Sequence, residues 1–245
     1  PRTRSAQGAA WHLRRGLFTT RDTTLDDDRL AGVSLIEPLG LRAARGARLS
    51  AIVTGLDRSQ SGSSTLVPPA PRAEAIRVGA AVLDSRAPLG GPLLGHGPRA
   101  LRRRWVRALG PACLPAALGV LVLASGGSAW WLLSLTALPV AAALAADRAR
   151  SLGHALADDH LVSRSGSVSR RHRALAVEHV IGWNFSATWF QRRAGLCTLV
   201  ATTAGGSQAV PVLDVPEDEA VRVAAIALPD LVAQFRSGLQ ERERR

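Results

Sequence analysis

The chain carries three rhythms of apolar and polar residues, and their order predicts its elements. From Ala108 to Ala146 the residues are apolar and uncharged. A membrane-crossing helix needs about 20 apolar residues, so the run has room for two. Gly126-Gly127-Ser128 divides it into Leu109–Ser125 and Ala129–Ala146. A soluble helix keeps one polar face, whereas here only Ser125, Ser128, Ser134 and Thr136 bear hydroxyls. Pro111, Pro115 and Pro139 are of a kind that membrane helices tolerate. The pattern predicts a transmembrane hairpin over 108–147 in preference to a buried helical hairpin of a soluble domain. Trp130-Trp131, beside the turn, suits the aromatic belt of a membrane interface.

The second rhythm is strand-like. After the apolar run, His160-Leu-Val-Ser-Arg-Ser-Gly166-Ser-Val-Ser predicts two short strands around a turn. Val177–Phe190, rich in β-branched and aromatic residues, and Leu196–Thr203 predict further strands. Ala204-Gly205-Gly206-Ser207 marks a turn, and 208–214 a last strand whose Pro211 suits an edge. Before the apolar run, Leu35–Leu39 and Leu49–Thr54 are the clearest strands, with Asp57–Ser64 a polar loop. The third rhythm is helical: Asp214-Val-Pro-Glu217 resembles a capping box, and Val221, Val223, Ala224, Ile226 and Leu228 supply the apolar face that follows.

These rhythms repeat on the two sides of the hairpin. Gly16–Leu25 aligns with Gly166–Leu175 at an offset of 150, which also carries Gly32 onto Gly182 and Arg42 onto Arg192. With one residue then lost, Gly46 falls on Gly195. At an offset of 145, Pro71-Arg-Ala-Glu74-Ala75 matches Pro216-Glu-Asp-Glu219-Ala220, and Leu83 matches Leu228. Each copy is thus several strands closed by one helix. The expected organisation is an N-terminal piece of a longer chain (1–10), a degenerate first unit (11–83), a basic linker (84–107), the hairpin (108–147), a second unit (148–229) and a tail (230–245). A chain that opens on Pro1 and contains no Met is expected to be the carboxy-terminal part of something longer.

Charge changes the picture in one respect. The net charge of +12 over 245 residues, with arginine in place of lysine throughout, would suit nucleic acid. The arginines are densest beside the apolar run, however, at Arg99, Arg102, Arg103, Arg104 and Arg107 before it and Arg148 and Arg150 after it. That placement favours anionic headgroups over nucleic acid and, by the positive-inside rule, puts both ends of the hairpin in the cytoplasm. The absence of Lys, Tyr and Met suits a GC-rich bacterial genome. Cys113 and Cys197 form no disulfide framework, and Cys197 is expected in the core.

The segment Trp189-Phe-Gln191-Arg192-Arg193-Ala-Gly195-Leu-Cys-Thr198-Leu, followed by Thr203-Ala-Gly205-Gly206, resembles the signature of the YdbT-like family of bacterial membrane proteins with PH-like domains. The first copy departs from it, with Leu41-Arg42-Ala-Ala-Arg45-Gly46 in place of the Gln-Arg-Arg core. The resemblance implies an α+β membrane protein with two PH-like β-sheet domains, each closed by a C-terminal helix, flanking a two-helix transmembrane hairpin. It implies a multi-pass protein of the bacterial cytoplasmic membrane with its soluble parts facing the cytoplasm, and no known reaction.

Candidate chemistry is sparse. His154, Asp158, Asp159 and His160 lack the companion ligands of a zinc site, and Asp26-Asp27-Asp28 has no counterpart in the second copy. Glu178-His179 shows no substrate pocket. No phosphate loop ending in lysine and no Gly-x-Ser-x-Gly elbow occurs. The candidate lipid headgroup contacts are Arg102, Arg103, Arg104 and Arg107 beside the hairpin and Arg192 and Arg193 in the signature; guanidinium groups grip phosphate, and the competing role of the last two is to anchor the strand. The expected function is a non-enzymatic scaffold or membrane-stress protein, without cofactor or metal. Its partners would be the bilayer, anionic lipids or a paired membrane protein of the same family. The alternatives are a headgroup-binding module using Arg192 and Arg193, or an enzyme whose active residues lie upstream.

Overall fold

The computed structural model describes the backbone of residues 2–5, 8–15, 21–26, 29–54, 65–204 and 209–229, and side chains from residue 29 onward. Three expectations lie outside the described residues: the Gly205-Gly206 turn, the loop 57–64 and the tail.

Three antiparallel sheets and seven helices are described. Strands β1 (Arg2–Ser5), β2 (Gly8–Arg15) and β3 (Arg21–Asp26) form one three-stranded sheet. There follow β4 (Leu30–Pro38), α1 (Leu39–Ala43), β5 (Gly46–Val53), β6 (Thr65–Pro71) and α2 (Arg72–Val82). A short α3 (Ala87–Gly90) leads to α4 (Gly97–Ala124), then a 3-10 segment over Ala129–Thr136 and α5 (Ala137–Ser151). The second half runs β7 (Gly153–Ala157), β8 (His160–Ser165), β9 (Ser169–Ala176), β10 (Val180–Ser186), α6 (Trp189–Arg193), β11 (Leu196–Thr203), β12 (Val210–Pro216) and α7 (Glu217–Ala227).

The order β4-α1-β5-β6-α2 recurs element for element as β10-α6-β11-β12-α7. The irregularities recur too. Register shifts fall at Leu30/Gly32 and at the equivalent Val180/Gly182, and again at Ala47/Leu49 and Cys197/Leu199. The structure corrects the alignment at one point. Arg45 (φ 54°) and Gly195 (φ 64°) occupy the same left-handed turn position, so no residue is lost before β5. The whole difference between the offsets (150 − 145 = 5) falls between β5 and β6, where the second copy is shorter in sequence.

The strands do not segregate by repeat. One six-stranded sheet runs β6-β5-β4-β9-β8-β7, joined at its centre by β4 and β9, which pair from Gly32↔Leu175 to Pro38↔Ser169. Alternate side chains of a strand point to opposite faces, and both faces are used. Leu161 and Leu175 pack with Leu199, Val210, Val212 and Val223 of the β10-β11-β12 layer and α7. Their neighbours Val162 and Ala174 pack with Val33, Leu35, Leu49 and Leu89 beneath α2 and α3. Cys197 is buried as expected, and burial pushes its thiol up to about 11. Pro211 lies on edge strand β12, as expected.

Two local readings are corrected. Val177–Phe190 is not one strand: a 3-10 turn occupies Val177–His179, β10 ends at Ser186, and a helical turn starts at Trp189. A capping box causes this, since the Gln191 N–H donates to the Thr188 hydroxyl and the Thr188 N–H donates to the Gln191 side chain. Asp214 does not cap α7 either. It is buried within β12 at φ 55°, and the helix starts after Pro216 without a side-chain cap.

The linker is ordered, and α4 begins within it, 11 residues before Ala108. At the far end Gly126 (φ 83°) turns the chain, as the sequence predicts. The return arm is 3-10 up to Thr136. Starting the α-helix at Ala137 puts Pro139 in its first turn, where a missing N–H breaks no intrahelical bond. The arms meet through small residues, Ala112, Ala116 and Gly119 of α4 and Ala141 and Ala145 of α5, the kind of seam that lets membrane helices approach closely. Both arms are long and apolar enough to cross a membrane, and only 11% and 6% of their most apolar windows are buried. Neither arm is therefore buried as a core helix of the described strand-rich regions.

Candidate functional site

Two acid–arginine clusters lock the strand-rich regions to the open end of the hairpin. In the first, Asp147 of α5, one residue past the apolar run, meets Arg42 of α1 at 3.1 Å and Arg170 of β9 at 2.8 Å. Arg42 also donates to the Ser167 carbonyl, and Arg148 to the Ser167 hydroxyl. In the second, the roles reverse. Asp214 of β12 meets Arg103 at 2.8 Å and Arg104 at 2.7 Å, both from α4, and accepts from the Gln191 amide at 2.9 Å. Asp214 is almost fully buried and the two guanidinium groups nearly so.

The six arginines expected at headgroups therefore divide. Arg102 and Arg107 are exposed. Arg103 and Arg104 share the helix face of buried Ala100 and turn inward to Asp214. Arg192 and Arg193 are exposed on α6, with Arg193 stacked over the Trp189 ring at 5.1 Å. The anchoring role weighed for them falls instead to Gln191, which is buried and bonded to Thr188, Thr198 and Asp214. Sequence reading passed over Gln191, although Thr188-Trp-Phe-Gln191 has the spacing of a capping box. Arg42, the first-copy equivalent of Arg192, grips the hairpin through Asp147, alongside Arg170.

A buried histidine relay lies beneath the second cluster. The His96 Nδ1–H donates to the Leu213 carbonyl at 2.8 Å, leaving its Nε2 to accept from His154 Nδ1 at 2.9 Å. The far nitrogen of His154 lies 3.3 Å from a Glu219 carboxylate oxygen. Burial, reinforced by His154, lowers the His96 pKa to about 4; burial lowers that of His154, with Glu219 opposing. His172, donating to the Pro88 carbonyl, is lowered to about 4 by burial as well. Folded-state values below the unfolded 6.5 mean that the folded chain binds fewer protons. Stability is full above pH 6.5 and falls as pH drops towards 4, by about 1.4 kcal/mol per unit for each fully shifted group. The melting temperature is expected to fall over that window, and His172→Gln, which keeps a donor but does not titrate, should flatten the fall. An unchanged pH profile in His172→Gln would remove this account.

At the opposite end of the sheets an open cleft of about 810 Å³ is lined by Asp84, Asp158, Asp159, Glu178, His160 and His179 among others. Asp84, Asp158 and Asp159 sit there as turn residues with positive φ. Among the described residues no group of three or more His, Cys, Asp or Glu side chains is arranged to hold a metal ion.

Fold and site define a mixed α+β protein whose strand-rich regions are clamped to one end of an apolar helical hairpin. Residues 108–228 match the family model for the bacterial PH domain. A bacterial PH-like domain is therefore present, and its match opens on the first residue of the apolar run and closes just past α7. No curated protein and no solved structure matches the chain.

Proposed function

We propose that the chain is a multi-pass protein of the bacterial cytoplasmic membrane, of the YdbT-like kind, in which two PH-like units on the cytoplasmic side flank a transmembrane hairpin. It acts as a non-enzymatic scaffold whose partners are other membrane proteins and anionic lipids. The observation that carries this reading is the pair of clusters at Asp147 and Asp214. Both repeats are tied to the same end of the hairpin, so they share one side of whatever the hairpin crosses. Exposed Arg102 and Arg107 at that end favour the cytoplasmic side. A second reading, a headgroup-binding module using Arg192 and Arg193, draws on the exposure of both guanidinium groups on α6.

Topology is tested by cysteine labelling in intact cells, in a chain whose Cys113 and Cys197 are replaced by alanine. Ser59→Cys and Ser237→Cys are both expected to resist a membrane-impermeant thiol reagent, and Ser128→Cys, at the hairpin tip, to react. Labelling of only one of Ser59→Cys and Ser237→Cys would mean a single crossing and end the hairpin reading.

A further inference from the structure

We infer that the base of the hairpin carries an apolar rim, formed by Leu39, Val168, Trp189 and Phe190, which lies in the lipid interface of an anionic bilayer and sets the height of the strand-rich regions above it. The inference rests on the membrane reading above and extends it from the hairpin to the β regions.

The four side chains are large, apolar and exposed: Leu39 52%, Val168 56%, Trp189 54% and Phe190 70%. Their level along the hairpin follows from their neighbours. On α4, a Cβ at Gly195 would lie 3.1 Å from an Arg99 guanidinium nitrogen, whereas Thr188 accepts from Arg103 at 3.3 Å. Four residues of α-helix rise about 6 Å, so the Thr188 end of α6 stands closer to the apolar run than the Gly195 end. Trp189 and Phe190 follow Thr188 directly, packed edge to face at 5.0 Å. Arg103 itself is about 7.5 Å, five residues of helix, below Ala108.

On α5 the same progression appears. Ser151 bonds the Gly166 carbonyl, and one turn nearer the membrane Arg148 donates to Ser167. Val168 comes next, and its carbonyl accepts from the Leu39 N–H at 2.7 Å. Leu39 opens α1, whose Arg42 holds Asp147, the residue bordering the apolar run. The α1 and α6 turns are equivalent in the repeat, so the rim is built twice, once beside each arm of the hairpin.

A bilayer fits this placement because it is a surface that surrounds both arms at one level. Tryptophan favours the headgroup boundary, where its ring is half apolar and half wet. Arg193 over Trp189, with Arg192, Arg102 and Arg107 exposed nearby, supplies the positive charge that an anionic leaflet attracts.

The test uses the full chain, with Cys113 and Cys197 replaced by alanine, reconstituted in phosphatidylglycerol-containing vesicles. A polarity-sensitive fluorophore is placed in turn at Phe190→Cys, at Glu178→Cys beside the distal cleft, and at Leu118→Cys in the hairpin. At Phe190→Cys, quenching by lipids with a shallow spin label is expected, together with iodide quenching reduced about threefold or more relative to Glu178→Cys, as for an interfacial side chain. Equal iodide quenching at the two sites, with Leu118→Cys quenched by deep lipid labels, would overturn the rim and leave the hairpin standing. Shielding from iodide without lipid quenching would overturn it in favour of a protein occupant. Failure of lipid quenching at Leu118→Cys as well would mean that the membrane reading itself has failed.

Discussion

Asp214→Asn is expected to destabilise the chain by about 3 kcal/mol and to loosen the β10-β11-β12 layer from the hairpin. Asparagine keeps the size of the side chain and tolerates the left-handed backbone at φ 55°, so the change isolates the charge. What remains is two adjacent guanidinium groups, each only 11–12% exposed, facing a neutral amide. Removing one partner of a buried pair costs more than the pair itself contributes, because the other charge stays desolvated. Asp147→Asn is the control. Asp147 is 25% exposed and its two arginines 22–23%, so solvent screens the loss and about 1 kcal/mol is expected. Denaturant unfolding of the purified chain in nanodiscs, followed by near-ultraviolet circular dichroism, compares the two. A loss at Asp214 no larger than that at Asp147 would show that burial does not make the inner cluster the stronger anchor. Arg103→Met with Arg104→Met, added to Asp214→Asn, should recover part of the stability, since the desolvated charges are then gone.

Gly32→Ala should be nearly as severe, while Gly182→Ala, its equivalent in the repeat, should cost less than about 1 kcal/mol. A Cβ on Gly32 would fall 2.1 Å from the Ala174 carbonyl oxygen, across the β4–β9 seam. Backbone cannot rotate out of the way as a side chain can, so the strands must separate, at a cost of about 3 kcal/mol. At Gly182 the nearest atom is the Thr202 hydroxyl at 3.2 Å, which can shift. Among the described residues β10 pairs with β11 alone, whereas β4 is paired on both sides. Thermal melts of the two single variants decide the matter, and equal losses would mean that the close approach across the seam does not set the cost of a Cβ at Gly32.

The pair Gly32 and Gly182 shows how far the sequence carries. Their equivalence, the arms of the hairpin, the turn at Gly126 and the closing helices α2 and α7 were legible from spacing and hydropathy, because those signals are local. Gln191 was legible only as half of a capping box with Thr188, because its bonds to Thr198 and Asp214 come from strands β11 and β12. The inward turn of Arg103 and Arg104 could not be read. Helical spacing puts them on one face, but nothing in a linear pattern says that a buried aspartate from β12, 111 residues away from Arg103, will meet that face.

By itself, the sequence determined that two similar strand-and-helix units flank an apolar hairpin with arginine at both ends, since each of these is a property of neighbours along the chain. The tertiary structure alone decided that the units share one six-stranded sheet through β4 and β9, that Asp214 lies in the core as an ion-pair centre and not at a helix start, and that Arg42, not Arg192, grips the hairpin. Strand pairing and buried charge depend on which distant groups exclude water together, and that is set only when the layers close.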